Sequence, residues 1–510
     1  ALGHNFLYYF EIPGLITLDL LKVIQKDHNL SSYKLDDVST EFINGSIKKI
    51  DRSSNDNIKL FTNSTYSLKI GDMLAIYKSS IIGKEFEENR YKICNIVNDE
   101  CIEVKKSAME IPDTPENYYW SVGKDNVSPQ DIFAMQDGND DDRAFVAKYC
   151  IQDCQLCIDL IDKLEIISNN IGMSNVCLVP FSYLFLRGQM IKTLSLVSSE
   201  CLKENYLIPE LPRPREDIKD SYEGAEVLEP KPQIFIDEPV SVLDYSSLYP
   251  SSMIGTNISH DTIIVDEEFQ GEKGAEKLRK RNIDFEDVVF DNYYQKLVGK
   301  TWKKFIDPKN PIVTCRFIQP PKDSNGKIID KERGILPRIL MKLLKARKDT
   351  RAQIKNEKDP FRASVLDGLQ LAYKVTANSL YGGVGAAVSA LYYKNIAAAT
   401  TAVGRNHLHL AKNYTMENFP SAEIVYGDTD SIFVNFHPTK KGKEGIQESI
   451  DRSIEVEKGI QHLLAYPHKL EYEKTFSPFI LLRKKGYIGN KYEFDLDKYN
   501  QTSMGVVTKR

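Results

Sequence analysis

The stretch EIVYGDTDSIFVNF, residues 423–436, places Asp428 and Asp430 one residue apart in an otherwise apolar, strand-like run. An ionised carboxylate is costly to bury without a partner. A second apolar run, Val242-Leu243, ends in Asp244 and enters the serine-rich turn of SVLDYSSLYPSSMIGTNIS, residues 241–259. Two strands that each end in a carboxylate at an apolar edge can share divalent metal. Mg2+ takes a few carboxylates plus phosphate oxygens, and two such ions clamp the attacking and leaving oxygens of an in-line phosphoryl displacement. Taken singly, each segment fits a pair of solvated turn aspartates equally well.

A helix pattern adds cations. In QLAYKVTANSLYGG, Lys374 and Asn378 are spaced i, i+4; Tyr381 follows one turn later and Gln370 precedes by one turn. All four share a face, and Gly382-Gly383 is expected to stop the helix. The preceding GILPRILMKLLKARKDTRAQIKNEKD carries Arg347 and Arg351 at i, i+4, and its apolar stripe is Leu336, Leu340, Leu343 and Leu344. Two neighbouring helices presenting cations can cradle a triphosphate, although a basic helix face is more commonly just solvated.

The elements that must position these residues follow from pattern. The chain has 510 residues, 42% hydrophobic and 27% charged, which predicts two or more soluble globular domains. No apolar run reaches membrane-spanning length, and ALGHNFLYYFEIPG has no signal-peptide character. Eight scattered cysteines, with Cys150, Cys154 and Cys157 clustered, complete no zinc spacing and read as reduced intracellular thiols. A net charge of −5 means that any nucleic-acid binding uses local basic surfaces. Residues 15–42 predict two amphipathic helices, the first striped by Ile16, Leu20, Val23 and Ile24. Residues 43–110 alternate short β-like runs with turns and read as an inserted β module. Helix returns over 128–172, from Ser128-Pro129. IPELPRPRED, 208–217, reads as a connector, and 266–330 as a polar segment with a loop at KDSNGK. Helices are expected over 336–357, about 361–381 and about 394–417, and strands in 423–436 and 468–510.

Taken together, DYSSLYPS (244–251), KVTANSLYG (374–382) and YGDTDS (426–431) resemble motifs A, B and C of family B DNA polymerases in order and spacing. YEGA (222–225) and KKGYIG (484–489) match further positions, and the sequence is most similar to polymerases of nucleocytoplasmic large DNA viruses of the mimivirus-like group. The resemblance implies an α+β right-hand polymerase: an antiparallel palm sheet and helical-hairpin fingers, preceded by a partial ribonuclease-H-like 3′–5′ exonuclease domain. The implied domains are 1–212, the exonuclease part, with the β module at about 43–110; 213–335 and 392–500, the palm; 336–391, the fingers; and 501–510, the start of a truncated thumb.

The implied function is DNA-templated DNA synthesis by two-metal nucleotidyl transfer in viral replication, at a site in the host cell and in its cytoplasm. Asp244 and Asp430 would be the main Mg2+ ligands (Mn2+ substituting), with the Tyr245 carbonyl as a third and Asp428 accessory. The amides of Ser247 and Leu248, with Arg347, Arg351, Lys374 and Asn378, would hold the dNTP triphosphate; Tyr249 would lie under its sugar and Tyr381 against the base pair. Gly382, Lys484, Lys485 and Tyr487 would contact primer–template DNA; Gly486 stands where the family carries arginine, which leaves one cationic contact unfilled. KYCIQD matches the third exonuclease motif through Tyr149 and Asp153, without the carboxylates of the first two motifs. Asp19 matches a position beside the second motif that is not a ligand. The parent protein would then be a proofreading exonuclease as well, with a sliding clamp or other replication factors as partners. The competing readings are a catalytically inactive DNA-binding fragment, a nuclease acting through Asp153, and a reverse transcriptase, which would carry adjacent aspartates.

Overall fold

The computed structural model describes residues 9–506, apart from 29, 31, 55, 81–82, 106–110, 113–114, 123–126 and 209–217. The proline-rich connector and the last residues of the chain therefore lie outside the described residues. The chain divides into two compact units between Ile171 and Gly172, not at 212.

In the first unit, helices α1 (Leu20–Asp27) and α2 (Leu35–Phe42) precede six strands. Asp19 caps α1 by accepting from Lys22 N–H. The helix therefore begins four residues after Ile16, which is exposed. Strands β1 (Asn44–Asp51), β2 (Asn57–Thr62), β3 (Met73–Ser80), β4 (Gly83–Val97), β5 (Cys101–Lys105) and β6 (Tyr118–Val122) form a closed antiparallel barrel in the order β1-β2-β5-β4-β3-β6. The β module thus runs on to Val122, because β6 pairs with both β1 and β3 and closes the sheet. Its alternating apolar residues, Ile47, Leu60, Leu74, Ile76 and Ile102, surround a fully buried Trp120 whose Nε1 donates to Thr62 at 2.8 Å. Gly45 lies flat against that indole and leaves no room for a Cβ. Helices α3 (Pro129–Gln136), α4 (Asp140–Lys163) and α5 (Ile166–Cys177) follow, with capping boxes at Ser128/Asp131 and Asn139/Asp142. Leu156 and Leu160 of α4 complete the barrel's core. The described strands of this unit all belong to the barrel, so no ribonuclease-H-like sheet occurs among the described residues.

The division falls within α5, whose last turns belong to the second unit, and α6 (Tyr183–Leu186) and α7 (Gln189–Lys203) follow. Leu196, Val197 and Cys201 of α7 join the large core formed with the later helices, which is why this segment groups with the second unit. Then come β7 (Ile218–Ser221), β8 (Gln233–Phe235), β9 (Val240–Tyr245) and α8 (Leu248–Gly255). The polar segment and the residues just before it hold β10 (Ile263–Ile264), α9 (Gly271–Lys280), β11 (Phe285–Asp291), β12 (Tyr293–Val298), β13 (Thr301–Ile306) and β14 (Ile312–Ile318). They make two small sheets, β10-β14-β11 and β13-β12-β7. The first is anchored by buried Val288, Phe290, Cys315 and Phe317. The polar composition reflects strands that bury few side chains. A turn does form at KDSNGK, where Gly326 has φ 76°.

Helices α10 (Ile335–Asn356) and α11 (Pro360–Gly385) form an antiparallel-neighbour pair, followed by α12 (Lys394–Asn418). Leu336, Leu340 and Leu343 of α10 are buried, as the stripe predicts. Helix α11 does not stop at Gly382-Gly383. It runs on to Gly385, and the glycines serve close packing: a Cβ on Gly383 would stand 3.0 Å from the Thr193 hydroxyl, and one on Gly385 would collide with the Tyr222 hydroxyl. The remaining elements are β15 (Glu423–Asp428), β16 (Ser431–Asn435), α13 (Gly442–Ile460), β17 (Leu470–Arg483), β18 (Gly486–Tyr492) and β19 (Asn500–Met504). The central sheet runs β15-β16-β9-β17-β18-β19, all antiparallel, with β8 also on β17. One face packs Leu243, Ile432 and Val434 on α12 and α13; the other packs Val242, Phe433, Phe476 and Phe479. Among the described residues no helix is long and apolar enough to cross a membrane.

Candidate active site

Chain pairing brings the acids together. Asp244 near the end of β9 stands opposite Ser431 of β16 and Glu471 of β17. The β15–β16 hairpin turns through Thr429, whose φ is 60°, and Tyr245 N–H ties the turn to β9 by donating to the Asp430 carbonyl at 2.8 Å. Asp244 and Asp430 consequently line one cleft of about 650 Å³. Burial pushes the Asp244 carboxyl up to about 8, helped by the charges of Asp430 and Glu473 and only partly offset by Lys474 and Lys374. Asp430 is likewise raised, first by burial, then by Asp428 and Glu473. Two half-buried acids, both raised by burial and by neighbouring carboxylates, suit a hard divalent cation. Among the described residues no three His, Cys, Asp or Glu side chains form a complete metal cage. Further ligands would be oxygens of backbone, water or phosphate, as such ions accept.

Asp428 is not brought into this cleft. Its carboxylate faces the Lys485 ammonium at 3.1 Å and accepts from the hydroxyls of Thr429 at 3.1 Å and Tyr426 at 3.3 Å. The two aspartates of the hairpin are thus partnered differently: Asp428 by a lysine, Asp430 by the carboxyl of Asp244.

Across the cleft stand the cations. Arg347 and Arg351 of α10 and Lys374 and Asn378 of α11 line it together with Tyr381. Arg347 is partly buried and donates to Gln370 at 3.3 Å, so the residue one turn before Lys374 orients the guanidinium. Burial, and then Arg351, lower the pKa of Arg347, which marks a site where positive charge is concentrated without an acid beside it. Lys374 and Asn378 are exposed to the cleft.

An aromatic wall joins the two sides. The rings of Tyr249 and Tyr381 are 4.5 Å apart, and the Tyr381 hydroxyl meets that of Tyr222 at 3.4 Å. Gly404 of α12 lies against the Tyr249 ring, where a Cβ would be 3.0 Å away. Tyr222 begins YEGA, whose Glu223 and Gly224 carbonyls accept from Arg405, with Thr401 also donating to Glu223. Burial raises both Tyr249, to about 12, and Tyr381. Ser247 has φ 53° and starts α8, so Ser247 and Leu248 stand where helix amides lack intrahelical acceptors, at the edge of the same cleft.

Other expected contacts fall elsewhere. Tyr487 is buried among Phe433, Phe476 and Phe479, so its ring is a core element and cannot follow a groove. Lys484 and Lys485 form the β17–β18 turn; Lys484 pairs with Glu229 at 2.5 Å and Lys485 with Asp428. Gly486 packs against Arg483, within 2.6 Å of where a Cβ would sit. Gly382 has open space around its Cα. Tyr149 and Asp153 lie one turn apart on α4 in the first unit, and among the described residues no further acids complete a metal site there.

Glu471 and Glu473, which also line the cleft, escape sequence reading. The alternation in LEYEK places them on one face of a strand, but only the register with β9 shows that this face adjoins Asp244.

A family model described as DNA polymerase family B matches residues 179–510. The chain is similar, at 42% identity over its whole length, to a DNA polymerase of Pyramimonas orientalis virus, of which it covers 43%. It is 36% identical, over 90% of its length, to a DNA polymerase of Phaeocystis pouchetii virus, of which it covers 46%. Over 72% of its length it is 35% identical to the DNA polymerase delta catalytic subunit of Dictyostelium discoideum, of which it covers 29%. The chain spans less than half the length of these relatives.

Proposed function

Because the chain belongs to DNA polymerase family B, we propose that its second unit catalyses DNA-templated addition of dNTPs to a primer 3′-hydroxyl. The observation that carries this reading is the cleft in which Asp244 and Asp430 face Arg347, Arg351, Lys374 and Asn378. In this reading the central sheet is the palm and the α10–α11 pair the fingers. Asp244 and Asp430, with the Tyr245 carbonyl, would hold two Mg2+ ions. When bound, they supply charge neutralisation and polarisation of phosphoryl oxygens.

The chain's own groups do the rest. Arg347, Arg351 and Lys374 neutralise the triphosphate and the charge that develops on it, which is where fixed cations lower a phosphoryl-transfer barrier. Asn378 and the amides of Ser247 and Leu248 orient it. Tyr381 backs the base pair, and Tyr249 bears on the sugar. Asp428, held by Lys485, acts as a support of the hairpin that carries Asp430. Lys484 and Lys485 stay as phosphate contacts of the product duplex, in competition with their acids. For the whole protein, viral replication, clamp contact and proofreading through Tyr149 and Asp153 belong to the same reading. The test is primer extension by this chain with Mg2+ and dNTPs, set against Asp430→Asn; extension that is equal in both, or absent in both, rejects the assignment.

A further inference from the structure

The sheet β13-β12-β7 carries a charge that the cleft does not use. In a chain of net charge −5, its strands and the β12–β13 turn hold Lys219, Lys296, Lys300, Lys303 and Lys304 against a single acid, Asp220. Among the described residues no ion pair involves any of the five. Lys296 and Lys303 stand directly opposite each other in the register, an arrangement that destabilises a strand pair. All six residues of β13 are exposed.

One face of the sheet also presents a ring. Trp302 is 36% exposed, with the Lys219 ammonium 4.2 Å from its centre. Lys304 shares that face and lies 4.1 Å from the ring centre of Tyr293. The strand alternation puts Lys219 on that face too, Lys296 and Lys303 on the other, and leaves Lys300 in the turn. An exposed ring flanked by ammonium groups that are in no ion pair is the combination that holds a single strand: a base takes the place of the Lys219 ammonium on the ring, and phosphates meet the cations. A duplex keeps its base faces covered and would leave Trp302 unused. An acidic protein surface would answer the lysines but not the ring. The sheet is also joined to the cleft. Lys304 donates to the Tyr222 carbonyl at 2.9 Å, and the Tyr222 hydroxyl meets Tyr381.

We propose that the Trp302 face of the β13-β12-β7 sheet is a binding surface for single-stranded DNA, with Trp302 as its stacking ring and Lys219, Lys300 and Lys304 as its phosphate contacts. The proposal goes beyond the polymerase reading, and its test needs neither nucleotide nor metal. The chain has two tryptophans, and Trp120 is fully buried, so quenchable emission belongs to Trp302. Titrating the whole chain with oligothymidylate of about 20 nucleotides, enough to span such a surface, is expected to quench that emission; a duplex of equal length is not. Trp302→Phe should remove the signal. Unlike Lys296→Gln, Lys303→Gln on the other face, the triple variant Lys219→Gln, Lys300→Gln, Lys304→Gln should bind the oligonucleotide about tenfold more weakly. Its slope of log affinity against log salt should fall by about 2, at roughly 0.7 per lost single-strand phosphate contact. A melting curve checks that it is folded; the melting temperature of Lys296→Gln, Lys303→Gln should hold or rise, since an opposed like-charge pair is gone. Unquenched Trp302 at saturating oligonucleotide, equal quenching by duplex, or an unchanged salt slope in the folded triple variant overturns the proposal; the first of these would make the sheet a protein-docking face.

Discussion

At the scale of single residues, the acids behave as a pair. Asp244 has an ordinary value of 3.8 and sits near 8 in the fold. The folded state therefore holds its proton more tightly than the unfolded chain does, and metal-free stability falls as pH rises from about 4 to about 8. Asp244→Asn should flatten that slope, and Mg2+ should raise the melting temperature of the parent more at pH 8 than at pH 5, because binding displaces protons. Thermal melts with and without Mg2+ check both, independently of activity; a Mg2+ shift retained in Asp244→Asn would reject the ligand assignment. In the proposed reaction the cations act on the transferring group instead. Lys374→Ala and Arg347→Ala should each lower the efficiency of dNTP use by roughly two to four orders of magnitude, about 3–5 kcal/mol, with little change in DNA affinity. If both lost DNA binding as well, the two helices would be a duplex-holding face. Tyr249 bears on selectivity. Tyr249→Ala should raise ribonucleotide insertion by orders of magnitude relative to dNTP, because exclusion by a clash disappears with the ring. Unaltered sugar choice in a folded variant, measured by parallel single-nucleotide insertions, would leave Tyr249 as a packing residue only.

Elements hold these residues through close approach. Helix α12 passes near enough for Gly404 to touch the Tyr249 ring, and α11 reaches Tyr222 through Gly385. Gly404→Ala should force the ring to shift by a few tenths of an ångström and cost about 1–3 kcal/mol, typical of overpacking. Since the strain runs through that ring, the double variant Gly404→Ala, Tyr249→Ala should melt higher than the sum of the single effects predicts. Strict additivity in chemical denaturation would show that the glycine is needed for some other neighbour. The glycine pair at 382–383 reads from sequence as a helix stop, and the helix continues through it. A local signal for chain reversal lost to a tertiary demand for small residues against Thr193 and Tyr222.

For the whole molecule, the net charge of −5 confines attraction for DNA to patches such as the cleft's cations and the β13-β12-β7 lysines. In the proposed reaction phosphate contacts are spread, whereas the chemistry sits on two acids. Asp430→Asn should therefore abolish extension while leaving primer–template binding within a few-fold. A gel-shift titration beside an extension assay separates the two, and joint loss would mean that the acid organises the DNA site as well.

Residue type and local period sufficed to single out Asp244, Asp430, Arg347, Arg351, Lys374, Asn378 and Tyr381, which line one cleft, because helix spacing and strand ends are set within a few residues of chain. The helices from 336 to 418 were legible for the same reason: their apolar stripes repeat over many turns. Pairing between distant segments was not. That Asp428 turns to Lys485, that Tyr487 is core, that Glu471 stands beside Asp244, and that β6 closes a barrel at Val122 all depend on register. A strand's own sequence states which residues alternate. Which partner lies opposite, and hence which face meets solvent or charge, is decided only when the sheet assembles.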